Sequence, residues 1–191
     1  MVDLSTEYLG LKLKNPVVPS ASPLSKEVNS ALALEDAGAS ALVMHSLFEE
    51  KISYEKEHLE RFFNQQSIGH GEAESFHPVP EEYESYQDNY LEHLTKLKSQ
   101  MDIPVIASLN GATPGGWIEH GTALQQAGAD ALELNVYYLA ANAQEDSQQV
   151  ESRYNEILQS LTEHVTIPIT MKLSSHFSAL IPFTQQLEKN G

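Results

Sequence analysis

Five short and nearly continuous apolar runs recur along the chain, separated by longer and more polar segments. Strands covered on both faces of a parallel sheet have this pattern, because neither face alternates with water. We therefore predict buried strands at Pro16–Ser20, Ala41–Leu47, Pro104–Asn110, Ala131–Tyr138 and Pro168–Leu173.

Between these runs, apolar residues recur every three or four positions, which is the period of an amphipathic helix. The apolar stripes extend over Val28–Glu35, Tyr83–Met101, Trp117–Ala127, Val150–Val165 and Leu180–Leu187. Pro80 is the predicted start of the second helix, and Asp146 and Gln149 have capping-box spacing at the start of the fourth. Strands that alternate with helices predict right-handed crossovers and a parallel sheet, so the fold class is α/β.

A helical pattern that ends on glycine occurs three times. Leu34–Gly38 (LEDAG) and Leu124–Gly128 (LQQAG) are each followed after two residues by a predicted strand, whereas nothing follows Leu187–Gly191 (LEKNG). Glycine just past a helix supplies the left-handed conformation that turns the chain back towards a sheet. We expect a single incomplete domain over residues 1–191, cut between two strand–helix units. Within residues 1–15, Glu7–Asn15 is expected to form a small hairpin.

The longest connection between predicted elements follows Phe48, and its first part, residues 49–78, is polar. Long connections in compact domains are usually lids or disordered insertions. We expect a lid-like insertion here, because it follows the carboxyl end of a strand, where α/β active sites gather. An acidic insertion without a role is the alternative.

Charge and composition exclude several classes of protein. The chain has 41% hydrophobic residues, and its 11 basic against 27 acidic residues give a net charge of −16, which disfavours binding to nucleic acid and to anionic membrane surfaces. Without cysteine, the chain has no disulfide, no thiolate nucleophile and no cysteine-ligated zinc. No apolar run reaches the length of a membrane span and no signal peptide precedes the first strand, so we expect a cytoplasmic protein.

Each predicted strand supplies polar side chains in or just after its carboxyl-terminal half: Ser20 and Ser22, His45 and Ser46, Ser108 and Asn110, Asn135, and Lys172. We expect them to project into one crevice, because the carboxyl ends of parallel strands meet at one edge of the sheet. Lys172 must reach water or meet a charge, and a buried Asn135 amide must be paired. A solvated lysine, a core histidine at His45 and an asparagine that ties down a loop are the alternatives.

Some histidines have a spacing that could suit metal ligands. His70, Glu74 and His77 could gather on one side of a loop or helix, but no HExxH pattern is present. We predict no metal site.

Several blocks of sequence, taken in order, resemble the class 1 dihydroorotate dehydrogenases, and most closely the dihydroorotate dehydrogenase-like branch. The blocks are NPVVPSASPLS from Asn15, AGASALVMHSLFEE from Ala37, IPVIASLNG from Ile103, AGADALELNVYY from Ala127 and IPITMKLS from Ile167. The resemblance covers Leu4–Gly191 and the first five of the family's eight strand–helix units. It implies a (β/α)8 TIM barrel that binds flavin mononucleotide (FMN) and oxidises dihydroorotate to orotate in pyrimidine biosynthesis.

The resemblance also implies which residues bind cofactor and substrate. The flavin-facing positions of the family fall on Ser20, Ala21, Ser22, His45, Ser46, Ser108, Asn135 and Lys172. Lys172 would stabilise the reduced flavin anion, and Asn135 would also hold the ring of the substrate.

Three positions depart from the family pattern. The cysteine that acts as catalytic base in the family falls on Tyr138, the lysine of the second strand falls on His45, and the substrate loop falls on Gln66, Ser67, Ile68 and Gly69. We therefore name Tyr138 and Lys172 as the two catalytic candidates. A related substrate in place of dihydroorotate is consistent with these differences.

Two further expectations follow because the resemblance covers only the first five of the eight strand–helix units. Barrels of this kind usually grip the flavin phosphate with loops after strands seven and eight, so the 191-residue chain is expected to bind flavin weakly or not at all. An open parallel edge at the fifth predicted strand should promote association, and a homodimer is one form this could take.

Two other functions stay open at this point. The first is an aldolase-like barrel in which Lys172 forms a Schiff base with a carbonyl substrate. The second is a non-catalytic half-barrel fragment that persists as a partner-binding piece.

Overall fold

The computed structural model describes residues 2–66 and 84–190, with side chains described for 2–61 and 84–190. The chain forms a four-stranded parallel sheet in the order β3-β4-β5-β6, covered by helices, with a separate two-stranded hairpin before it. The sheet strands are β3 (Leu42–Phe48), β4 (Val105–Asn110), β5 (Ala131–Asn135) and β6 (Ile169–Lys172). The predicted α/β class and parallel sheet are confirmed.

In the described part of the chain, six helices accompany the strands: α1 (Val28–Asp36), α2 (Glu49–Gln66), α3 (Tyr86–Gln100), α4 (Pro114–Gln126), α5 (Ser147–Thr162) and α6 (Leu180–Asn190). The capping box that was predicted from sequence starts α5, because the Asp146 side chain accepts from the Gln149 amide and the Gln149 side chain accepts from the Asp146 amide. Ser85 and Asp88 form a second capping box before α3, while the predicted start at Pro80 lies outside the described residues.

Glycine turns the chain from helix to strand twice, as predicted. Gly38 follows α1 at φ +106° and Gly128 follows α4 at φ +98°, and this left-handed region is unfavourable for a residue with a Cβ atom. The next strand starts a few residues later in each case. Gly191 lies outside the described residues.

The sheet has one apolar face against the helices and a second face, here called the inner face, against the hairpin. The helix-facing residues Leu42, Met44, Ala107, Leu132 and Leu134 belong to the main core. A smaller cluster on the inner face joins the strand residues Val43, Ile106 and Ala131, and Ala41 just before β3, to Leu13 of the hairpin, whose strands are β1 (Thr6–Tyr8) and β2 (Leu11–Leu13). The hairpin predicted at Glu7–Asn15 is therefore present, and it covers the amino-terminal part of the inner face.

The prediction of a strand at Pro16–Ser20 is wrong. The segment lies beside β3 and accepts two hydrogen bonds, from the Ser40 amide to the Val17 carbonyl at 3.0 Å and from the Val43 amide to the Pro19 carbonyl at 3.1 Å. Pro16 and Pro19 have no N–H to donate, so a continuous ladder cannot form. Instead, the segment leads into a 3-10 turn at Pro23–Lys26.

Two further boundaries differ from the sequence prediction. Strand β5 ends at Asn135 rather than at Tyr138. Residues 49–66, the first part of the predicted lid-like insertion, form helix α2, and residues 67–78 of that insertion lie outside the described residues. Whether the insertion acts as a lid stays a prediction.

Candidate functional site

A row of polar side chains crosses the inner face towards the carboxyl ends of the strands. Ser46 Oγ and Ser108 Oγ lie 2.8 Å apart, and Ser108 Oγ donates to Glu133 Oε1 at 3.5 Å. Thr170 is the register partner of Glu133 on β6, and its Oγ1 accepts from the Tyr8 hydroxyl of the hairpin at 3.3 Å. The row thus joins all four strands on one face.

Asn135 and Lys172 lie beyond this row, nearer the carboxyl ends of β5 and β6. They are register partners on the neighbouring strands β5 and β6, so their side chains emerge on the same face as Glu133 and Thr170, two residues earlier in each strand. Asn135 is half-buried and Lys172 is exposed. Within residues 2–61 and 84–190 neither side chain has a hydrogen-bond or ion-pair partner, which leaves an amide and an ammonium side by side for a ligand.

A bulge in β3 decides which of its polar residues faces the row. The register passes from Val43 opposite Ile106 to Ser46 opposite Ser108, so β3 contains one residue more than β4 over this stretch. Simple alternation would put His45 on the inner face with Val43. The bulge puts Ser46 there instead.

His45 packs towards the helices and the 3-10 turn. Its ring centroid lies 4.9 Å from that of Tyr90 and 6.0 Å from that of His93, both on α3. Its amide donates to Ser25 Oγ at 2.7 Å, and its Nδ1 lies 3.3 Å from the same oxygen. Burial, and then the positive charges of His93, Lys26 and Lys51, lower the pKa of His45 from 6.5 to about 4.

The low pKa of His45 predicts a stability change at mildly acidic pH. The unfolded chain takes up this proton near pH 6.5 and the folded chain only near pH 4, so the stabilisation is complete above the first value and is lost as pH falls towards the second. We expect His45→Gln to flatten the dependence of the free energy of unfolding on pH in this window, measured by urea titration. The exposed His176 supplies the control, and a His176→Gln variant that flattens the curve equally would contradict the assignment.

Four predicted cofactor residues line one cavity of about 260 Å³ at the carboxyl end of β3: Ala21, Ser22, His45 and Ser46. The structure therefore brings the 3-10 turn and the second predicted strand together. Ser20 lies elsewhere, in a cavity of about 360 Å³ on the inner face, which Glu133 and the hairpin also line. That these residues bind a cofactor stays a prediction.

Tyr138 lies in a different cavity, which Glu145, Gln149 and Arg153 also line. Its hydroxyl donates to Glu145 Oε2 at 2.5 Å, and the Arg153 guanidinium lies 3.9 Å from its ring centroid. The hydrogen bond to Glu145, followed by burial, raises the pKa of Tyr138 above 10.0. This arrangement favours the neutral phenol, while a general base must accept a proton. A catalytic role for Tyr138 stays a prediction.

The predicted substrate loop is only partly described. Gln66 ends helix α2, whereas Ser67, Ile68 and Gly69 lie outside the described residues, as do His70, Glu74 and His77. Among the residues that are described, no group of three His, Asp or Glu side chains could hold a metal ion. Within the same ranges, no helix combines the length and the apolar character of a membrane span.

Sequence reasoning missed Glu133 and two lysines at the site. Glu133 stands between Ala131 and Asn135 in strand β5, and alternation along ALELN puts all three on one face. Lys26 and Lys51 line the β3 cavity, but the polar run around Lys51 has no visible link to the strands. Lys51 lies in the first turn of α2, which begins directly after β3.

No family model matches the chain. It is 25% identical to the catalytic subunit of dihydroorotate dehydrogenase B (NAD(+)) from Thermoplasma acidophilum, over 99% of the chain and 60% of that protein. It is 27% identical, over 70% of the chain, to a protein from Aeropyrum pernix assigned as dihydroorotate dehydrogenase A (fumarate), of which it covers 41%. The chain thus spans less than two thirds of the length of these relatives.

Among solved structures, the fold is similar to that of a Pseudomonas aeruginosa protein assigned as a dihydrodipicolinate synthetase, with a TM-score of 0.55 and 12% identity over 91% of the chain and 51% of that structure. This likeness concerns the fold alone. The chain therefore has an α/β fold of the TIM-barrel type, present in part, and its sequence is distantly similar to dihydroorotate dehydrogenases.

Proposed function

We propose that this chain forms the flavin-ring and substrate side of an FMN-dependent oxidoreductase that oxidises dihydroorotate or a related compound. One observation carries the proposal. Asn135 and Lys172 lie side by side at the carboxyl edge of the sheet, in a chain whose sequence is similar to dihydroorotate dehydrogenases over 99% of its length.

The donor set on this face fits the polar edge of a flavin ring. The amide of Asn135 and the ammonium of Lys172 lie together at one edge of one sheet face, and the hydroxyls of Ser46 and Ser108 lie on the same face, where Ser108 donates to Glu133. A flavin ring has carbonyl oxygens and ring nitrogens along one edge, which accept from such donors. When bound, FMN would supply hydride acceptance.

The residues of the chain would then orient the bound rings and stabilise the reduced flavin. Lys172 would hold a positive charge beside the ring edge on which negative charge accumulates during reduction. Asn135 has both an acceptor oxygen and a donor nitrogen, so its amide can match a ring that presents one of each. Glu133 accepts from Ser108 and so acts as a positioning residue for the serine pair.

Chemical-shift mapping with FMN tests the proposal even if binding is weak. We expect millimolar FMN to shift the amide resonances of Ser46, Ser108, Asn135 and Lys172. Reduced FMN should bind more tightly than oxidised FMN, and Lys172→Met should reduce this preference by about tenfold, or roughly 1.4 kcal/mol. Lys189→Met, on the exposed last turn of α6, is the control. If neither redox form of FMN shifts these four resonances, the proposal is wrong.

A Schiff-base enzyme is the second candidate, and the surroundings of Lys172 favour it. No carboxylate of the described residues lies within 4.0 Å of its amine, so no ion pair of that part of the chain competes with a carbonyl substrate for it. Treatment with a 2-oxo acid and borohydride would add mass at Lys172 in that case. An unmodified Lys172, together with the FMN shifts above, would exclude it.

A further inference from the structure

A cavity of about 540 Å³ lies between helices α4 and α5. The residues that line it include Pro114 and Trp117 of α4 and Arg153, Glu156 and Ile157 of α5. Trp117 is part of the main core on the helix side of the sheet, and Ile157 packs against that core. The cavity is therefore in the helix layer, away from the inner face, and none of its described lining residues is a candidate flavin or substrate residue. Its volume is in the range of small-molecule sites.

Arg153 is held at this cavity by two contacts. One of its guanidinium nitrogens donates to Glu145 Oε1 at 2.9 Å, and the guanidinium carbon lies 3.9 Å from the centroid of the Tyr138 ring. A guanidinium has five N–H donors, so the bond to Glu145 leaves others for a ligand. The side chain is thus partly ordered before any ligand arrives, which lowers the entropic cost of binding.

Glu156 supplies an opposite charge one turn further along α5. Residues three apart on a helix are neighbours, with Cβ atoms about 5–6 Å apart, yet Arg153 pairs with Glu145 and not with Glu156. Over residues 2–61 and 84–190, no cation lies within 4.0 Å of the Glu156 carboxylate. A positive and a negative group therefore stand side by side without neutralising each other. Both also line the adjoining cavity of Tyr138.

Trp117 contributes a wall and an unused donor. Its side chain is almost completely buried, with 3% of the residue exposed. Among the residues whose side chains are described, no acceptor bonds to its indole N–H. Within the same residues, the enclosed side-chain atom that lacks a partner is His120 Nδ1, so the indole nitrogen keeps some access to solvent. A buried donor that no group of the described chain satisfies favours a ligand that brings an acceptor.

We propose that the cavity between α4 and α5 binds an α-amino acid with an aliphatic side chain. Arg153 would hold the carboxylate of the ligand, and Glu156 would hold its ammonium group. An α-amino acid carries these two charges on one carbon atom, which suits two opposite charges on neighbouring positions of one helix. Pro114, Trp117 and Ile157 would contact the aliphatic side chain. This site is separate from the proposed flavin site and does not depend on bound flavin.

Leucine and two analogues form a matched set of probes. Isocaproate lacks the ammonium group of leucine, isoamylamine lacks its carboxylate, and all three share one branched apolar chain. Trp117 is the one tryptophan of the chain, so tryptophan fluorescence and the indole N–H resonance both report on this cavity. We expect leucine, in the absence of FMN, to change both signals saturably. Each analogue should bind at least about tenfold more weakly than leucine.

Two substitutions separate the roles of the charges. Glu156→Gln and Arg153→Gln should each weaken leucine binding about tenfold, because each leaves one charge of the ligand without its partner. Glu156→Gln should leave isocaproate binding within about threefold of the parent chain, and Arg153→Gln should do the same for isoamylamine. Both side chains are exposed, so the variants should fold.

Glu163→Gln and Arg61→Gln are the controls, because both residues are exposed and neither lines the cavity. Equal binding of the three probes would overturn the proposal. Unchanged leucine binding in both cavity variants would also overturn it, as would constant Trp117 signals in millimolar leucine. FMN binding without leucine binding would refute this site alone, and the reverse would refute only the proposed oxidoreductase function.

Discussion

Replacing Glu49 with alanine is expected to lower the free energy of unfolding by about 3 kcal/mol. Glu49 starts α2, yet its side chain is only 6% exposed. Its Oε2 accepts from the amides of Ala112 and Thr113 and its Oε1 accepts from the Thr113 hydroxyl. Alanine would leave these three donors without their acceptor in a region that water reaches poorly.

The position of Glu49 at the start of α4 adds a second contribution. Thr113 caps that helix, and the carboxylate lies so close to Gly116 that a Cβ atom there would collide with it. A carboxylate at a helix N-terminus is stabilised by the helix dipole. Gly116 is thus the residue that allows the carboxylate to approach.

The same contacts make the contribution of Glu49 depend on pH. Burial alone would raise the pKa of Glu49, but the hydrogen bonds from Thr113 and Ala112 and the nearby His120 outweigh it and lower the pKa below its ordinary value of 4.5. The stabilisation is present above pH 4.5 and is lost as pH falls through the folded-state value. The loss from Glu49 begins near the lower end of the His45 range, so the Glu49 and His45 variants are compared above and below pH 4.5.

Urea unfolding at neutral and acidic pH measures both consequences. Glu50→Ala is the matched control, because Glu50 is the next residue of the same helix and is exposed; its variant should stay within about 0.5 kcal/mol of the parent chain. Equal stability of the two variants at neutral pH would show that the Glu49 contacts contribute nothing net.

Replacing Phe183 with alanine is expected to cost about 4 kcal/mol. Phe183 is 2% exposed and belongs to a cluster of three rings. Its centroid lies 4.5 Å from that of Phe177 in a stacked pair and 5.7 Å from that of Tyr154 in an edge-to-face pair. These contacts join α6 to α5, so truncating Phe183 removes both buried area and ring geometry.

Ile181, two residues earlier in α6, is 72% exposed and supplies the comparison. Ile181→Ala should change the free energy of unfolding by less than about 0.5 kcal/mol. Circular dichroism during urea unfolding would show whether α6 unfolds with the sheet. A Phe183→Ala loss as small as that of Ile181→Ala would mean that α6 does not dock on α5 in solution.

Sequence patterns predicted the elements whose signals are local. The period of apolar residues and the Asp146–Gln149 capping box located α5, and the glycines after α1 and α4 marked the turns to strands. The segment Pro16–Ser20 failed as a strand because prolines remove donors, which an apolar run does not reveal. Helix α2 was interpreted only as part of a polar insertion, since few of its residues are buried.

The candidate site was harder to predict because it depends on distant contacts. Because β3 contains one extra residue, Ser46 lies on the inner face in place of His45. No local sequence pattern predicts this bulge. Lys51 lies in the first turn of α2, three residues after the end of β3, but its contact with Tyr86 of α3 joins distant parts of the chain. Asn135 and Lys172 were found because strand ends at one edge of a parallel sheet must converge.

The proline-containing segment beside β3 occupies one edge of the sheet. The Val43 amide is bonded to the Pro19 carbonyl and the His45 amide to Ser25 Oγ, so β3 has no free partner there for another strand. At the opposite side, β6 pairs only with β5 within the described residues. A further strand could therefore pair directly with β6, whereas on the other side of the sheet the edge of β3 is already occupied by the proline-containing segment.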